Sequence, residues 1–151
     1  MRYPIRALSL SAVLCLVFLA AGRPVAAQDG TSLYQRLGGY DAIAAFVGDF
    51  FGRFGADEEL APYMGGLNAK AQARVFQHFV DFMCSQAGGP CLYNGADMPA
   101  AHEGLGIPSD HFDLVMTHMT DALDATVANA VARRELLGLL HAMRGEIVSG
   151  G

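Results

Sequence analysis

The 151-residue sequence predicts a single all-α domain behind an N-terminal export signal. Three observations carry this reading. Apolar residues recur at helical spacing in four long stretches, no stretch shows the period-two alternation of a half-buried strand, and Gly- and Pro-rich clusters separate the stretches.

The chain starts with Arg2 and Arg6 and continues into residues 7–22, an apolar run interrupted only by serine and glycine. This is a charged n-region followed by an h-region. Val25, Ala26 and Ala27 then present small side chains where a signal peptidase reads, so cleavage is expected before Gln28. The apolar run falls short of the roughly 20 residues that span a bilayer, which favours a cleaved signal peptide at residues 1–27 over a retained anchor. Cys15 lies inside the run rather than at its end, so lipoprotein processing is not expected. Residues 28–151 are then an exported domain, periplasmic or secreted, with no stable membrane insertion.

Removing residues 1–27 leaves 7 Lys+Arg against 15 Asp+Glu, a formal charge of −8. Such a field repels phosphate backbones, and no basic stripe with interleaved aromatics follows, so nucleic acid is not a partner of this chain.

The first long helix is predicted from Ile43, Phe46, Val47, Phe50, Phe51 and Phe54, one face of a 3.6-residue period, with Gly55 as its stop. A short segment over residues 58–64 leads to a turn at Gly65 and Gly66. The second spans residues 71–86, carries Val75, His78, Phe79, Phe82 and Met83 on one face, and ends at Ala87, Gly88, Gly89 and Pro90. Asp97 and Pro99 open a very short helix that closes at His102 and Glu103, stopped by Gly104 and Gly106. Pro108, Ser109 and Asp110 open the third long helix, with Phe112, Val115, Met116, Met119 and Leu123. The fourth covers residues 131–148, with Leu136, Leu137, Leu140, Met143 and Ile147.

Cys84 and Cys91 both survive processing, and an oxidising compartment pairs thiols. Two readings stand: a Cys84–Cys91 disulfide, or a buried Cys84 beside a free loop thiol. Neither cysteine belongs to a Cys-x-x-Cys or Cys-x-x-Cys-His pattern, which removes a zinc ribbon, a thioredoxin-like site and c-type haem attachment.

No Ser-His-Asp arrangement, phosphate-binding glycine loop or His-Glu-x-x-His pattern is present. A helical core with an inward histidine can instead hold a large apolar cofactor, and haem iron takes imidazole as a ligand. By itself such a histidine also reads as a surface or capping residue.

The order of motifs is more specific. Leu33-Tyr-Gln-Arg-Leu-Gly-Gly39 is followed by Leu60-Ala-Pro-Tyr63, Gly88-Gly-Pro90, Tyr93-Asn-Gly95, the run Met-x-x-x-His-x-Gly-x-Gly-Ile ending at Ile107, and His111-Phe112. Together they resemble the group 1 truncated haemoglobins. That resemblance implies a two-over-two helical sandwich with one haem b and His102 as the proximal iron ligand. A ligand released by two glycines can orient its ring without helix strain, and a backbone carbonyl is expected to fix its tautomer.

On the distal side the sequence departs from the family. Phe51 stands where the family commonly has a tyrosine, and Val75 and Phe79 stand where it often has glutamine. Bound oxygen then lacks its usual hydrogen-bond donors, at roughly 1–3 kcal/mol for each one lost. The resemblance makes His78 a candidate sixth iron ligand; the alternative is that it points along the haem edge toward solvent or a propionate. Phe51, Phe79 and Phe82 are expected against the haem or its ligand, Leu105 and Ile107 against the porphyrin edge, and Lys70 and Arg74 near propionates. His118 is expected to pack at a helix flank and His111 to sit at a helix start. His141 lies about two residues out of register for covalent attachment to a haem vinyl group.

The implied ligands are oxygen, nitric oxide or carbon monoxide. Nitric oxide dioxygenase activity would need a reductase. The other readings are a bis-histidine electron-transfer or redox-sensing protein with its own redox partner, and a haem-free helical interaction domain.

Overall fold

A computed structural model describes residues 31–149; the expected signal peptide at residues 1–27 and its cleavage site lie outside them. Eight helices follow one another among the described residues: α1 (Leu33–Leu37), α2 (Gly39–Ala56), α3 (Pro62–Gly65), α4 (Ala69–Gln86), α5 (Met98–His102), α6 (Ser109–Thr126), α7 (Ala130–Ala142) and α8 (Arg144–Ile147). The four long helices are the four predicted stretches. They form a two-over-two sandwich in which α2 packs on both α4 and α6, and α6 also packs on α7. The core is made where their apolar stripes meet. Ile43, Phe46 and Val47 of α2 bury against Val80, Met83 and Cys84 of α4, Ala122 and Leu123 of α6, and Ala132 and Leu136 of α7. None of the helices is long and apolar enough to cross a membrane.

Caps explain where the helices begin. Asn68 accepts from the Ala71 amide at 3.0 Å, Asp97 from Ala100 at 2.9 Å, and Asn129 from both Val131 and Ala132. At the end of α4 the Gly88 amide donates to Ser85 and the Gly89 amide to the Cys84 carbonyl, a Schellman closure with Gly88 at φ +75°.

Two elements differ from the sequence reading. Leu33–Leu37 is a helix, closed by a capping box between Ser32 and Gln35. The expected single helix over residues 131–148 breaks at Met143, whose amide turns to the Leu140 carbonyl three residues back. Beyond the break Arg144 is drawn to α6, bonding the Ser109 hydroxyl and the Asp113 carboxylate and lying 4.6 Å from the Phe112 ring centroid.

Candidate functional site

α5 presents His102 at its last position. Asp97 caps the helix start, and after Glu103 the chain escapes through Gly104 (φ +76°) and Gly106 (φ +63°), left-handed conformations that favour glycine. The His102 ring turns back on its own helix, and Nδ1 donates to the Met98 carbonyl at 2.8 Å. A carbonyl can only accept, so Nδ1 carries a proton, and of the two neutral tautomers the bond selects the one with its lone pair on Nε2. That is the tautomer a metal ligand requires. Ile107 returns to the core, where its carbonyl accepts from the Ser149 amide, while Leu105 stays 43% exposed beside the histidine.

Among the described residues no group of three or more His, Cys, Asp or Glu is placed to hold a metal ion. An open cleft of about 510 Å³ runs beside His102 between α5 and α8, lined by Asp97, Ala100, Glu103, Glu146 and Ile147.

Between α2 and α4 lies a wall of phenylalanines. Phe79 of α4 stacks on Phe50 at 5.5 Å and meets Phe51 edge-on at 5.5 Å; Phe51 also contacts Phe76 at 6.0 Å and Phe54 at 6.3 Å. The structure brings Phe51 and Phe79 together, with Phe50, Phe54 and Phe76 completing the cluster. Next to it lies a mostly apolar cleft of about 380 Å³, lined by Phe51, Phe54, Met64, Ala69, Ala73 and Phe76. Val75 is half-buried on the same helix, and Lys70 and Arg74 are exposed at its start.

His78, half-buried, sets its ring perpendicular to that of Tyr93 at 6.2 Å, and Phe82 lies 5.1 Å from the same tyrosine. Tyr93 donates its hydroxyl to the Ala96 carbonyl at 2.5 Å. Burial, and after it the charge of Asp97, raises the Tyr93 hydroxyl above its usual range, which keeps it a donor. Sequence reasoning gave Tyr93 no role of its own; its nearness to Cys91 was the available signal. Cys84 and Cys91 form a disulfide with Cα atoms 5.8 Å apart, within the range such bridges need.

Two of the remaining histidines, His111 and His118, tie α6 to the segment after α2. His118 does more than pack at a flank: its Nε2 donates to the Asp57 carboxylate at 2.7 Å, and this bond foremost holds the Asp57 carboxyl below the usual range. His111 stands in the first turn of α6, where its Nδ1 pairs with the Tyr63 hydroxyl at 2.8 Å. His141 is exposed, its ring 6.3 Å from Phe112.

A family model described as bacterial-like globin matches residues 32–149. The group 1 truncated hemoglobin GlbN of Mycolicibacterium paratuberculosis is 37% identical over 119 residues, covering 79% of this chain and 85% of that protein. GlbN of Nostoc commune is 29% identical over 119 residues, covering 79% and 98%. The fold is similar to the 2/2 hemoglobin of Synechococcus sp. PCC 7002, solved in the cyanomet state with covalently attached heme, at TM-score 0.71 and 27% identity over 78% of this chain and 98% of that one. It is also similar to the Fe(III) truncated hemoglobin of Tetrahymena pyriformis, at TM-score 0.73 and 23% identity over 80% and 100%.

Proposed function

This chain belongs to the bacterial-like globin family, among the group 1 truncated haemoglobins with haem as cofactor, and from that premise we propose that it binds oxygen and nitric oxide at an iron held by His102. Bound haem supplies an iron whose porphyrin fills four positions, leaving one for a proximal histidine and one for a gas. The residues fit this group. One observation carries the assignment: Nδ1 of His102 is committed to the Met98 carbonyl, which orients the ring and leaves Nε2 as the nitrogen that would ligate a metal.

The other residues set how a gas is held. Phe51 and Phe79 line the distal half with rings and offer no hydroxyl or amide donor; Val75 offers none either. With haem bound, Phe82 and Ile107 would close the apolar surround, the exposed Leu105 would cover the porphyrin edge, and Lys70 and Arg74 would pair with the propionates. Oxygen retention is accordingly weak, and nitric oxide turnover to nitrate is a secondary activity that depends on an external reductase.

A second reading rests on His78. It is the imidazole on α4 next to Phe79, half-buried, and it would supply a second iron ligand when no gas is bound. A protein held in that state serves electron transfer or redox sensing. The domain works outside the cytoplasm after loss of residues 1–27, a placement supported by the Cys84–Cys91 disulfide; N-terminal sequencing of the mature protein should begin at Gln28.

Absorption spectra of wild type, His102→Ala and His78→Ala test both assignments. His102→Ala should lose most of its haem. His78→Ala should keep haem and convert the deoxygenated ferrous form from six- to five-coordinate. A wild-type ferrous form that is already five-coordinate and high-spin removes the role of His78 and leaves that of His102 standing.

A further inference from the structure

The connection from α4 to α5 is tied down far more than a helix-free segment needs to be. It is fastened to α4 by the Cys84–Cys91 disulfide, by the Gly89 amide on the Cys84 carbonyl, and by the Tyr93 ring on Phe82 and His78. At its far end the Tyr93 hydroxyl holds the Ala96 carbonyl, adjacent to Asp97, whose carboxylate caps α5. α5 itself has five residues and none of them is buried; its main helix neighbour is the four-residue α8. The station of His102 is therefore set by these ties more than by burial. One of them is covalent and reducible.

We infer that the Cys84–Cys91 disulfide, acting with Tyr93 as a positioning residue, is a redox-operated brace on the proximal ligand: oxidised it keeps α5 in place, and its reduction by a dithiol releases haem faster. This rests on His102 as the proximal ligand. A thiolate of the dithiol attacks Sγ of Cys91, the half-buried partner. The Cys91–Cys84 bond breaks, and Cys84 leaves as a thiolate and takes a proton. The second thiol of the reagent then displaces Cys91 from the mixed disulfide, which also gains a proton, and the reagent departs as its own disulfide. Two electrons and two protons pass to the protein. Attack at Cys84 is screened, because its sulfur is buried beneath Gly89 and Tyr34; even a Cβ at Gly89 would lie 2.6 Å from Cys84 Sγ and 2.5 Å from Tyr34 Cδ2.

The test follows haem transfer from the loaded protein to an excess of apoglobin acceptor, with and without dithiothreitol, alongside helix content by circular dichroism. Reduction should speed haem loss about tenfold at unchanged helix content, and reoxidation should restore the slow rate. The Cys84→Ser/Cys91→Ser double variant should be fast throughout and indifferent to the dithiol. Tyr93→Leu should be fast even when oxidised, with Tyr93→Phe, which keeps the ring on Phe82, in between. The brace is overturned by a wild-type rate that changes less than twofold on reduction, by an equal dithiol effect in the double variant, or by loss of helix on reduction. The ligand assignment fails separately, if His102→Ala retains haem as wild type does.

Discussion

Replacing Gly89 by alanine places a methyl group where three atoms already stand. An ideal Cβ there lies 2.5 Å from Tyr34 Cδ2, 2.6 Å from Cys84 Sγ and 2.8 Å from the Cys84 carbonyl oxygen. None of the three can yield freely. The Tyr34 hydroxyl accepts from the Tyr40 amide and its own amide is bound to the Ala87 carbonyl, Cys84 is fixed by the disulfide, and its carbonyl receives the Gly89 amide. Overpacking of a closed site costs about 1–3 kcal/mol, and loss of the Schellman bond adds about 1 kcal/mol. At roughly 3–6 °C per kcal/mol for a domain of this size, Gly89→Ala should lower Tm by roughly 6–24 °C. Gly48→Ala is the control of opposite sign: nothing lies within 4 Å of its Cβ in the middle of α2, so removing backbone freedom there should stabilise by about 0.5–1 kcal/mol. Thermal unfolding of the two variants beside wild type measures both. A Gly89→Ala protein melting within about 2 °C of wild type would refute the close packing of α4's end on α1.

Other outcomes follow from single contacts. Asp57 titrates below the usual carboxylate range because of His118, so it adds stability above that range and loses it as pH falls through it; urea midpoints across acid pH should drop less steeply for Asp57→Asn than for wild type. Phe51→Tyr introduces a donor into the phenylalanine cluster and should slow oxygen release from the haem-loaded protein by about 10- to 100-fold in stopped-flow displacement by carbon monoxide. Asn129→Ala removes a side chain that accepts from two amides at the start of α7 and should destabilise by about 1 kcal/mol in urea titration.

Much of this architecture is written locally. The stop at Ala87 to Pro90, the cap at Asp97 and the glycines after His102 act within a few residues, and each appears in the structure where its chemistry places it. The carbonyl that fixes His102 was expected in kind, and it is the first of the same short helix. α1 escaped because five residues are too few to show a period, although Ser32 and Gln35 stood at capping-box spacing. What breaks the last helix is not local: Arg144 answers to Ser109 and Phe112. Likewise His118 finds Asp57 61 residues earlier, and Tyr93 reaches His78 and Phe82 only because its loop folds back on α4. Hydrophobic spacing reports which side of a helix is buried; it carries no information on which polar groups meet across two helices.

The short first helix of the domain has partners far along the chain. Arg36 of α1 pairs with Glu135 of α7, 99 residues on, and the Tyr34 amide waits for the Ala87 carbonyl. A chain that emerges from a ribosome N-terminus first can therefore pack α1 on α2 early, but gains the Ala87 tie only with the end of α4 and the Glu135 tie only with α7. A chain interrupted before α7 lacks the Arg36–Glu135 pair and the packing of α7 on α1 and α6, and should be cut by proteases faster than the whole domain.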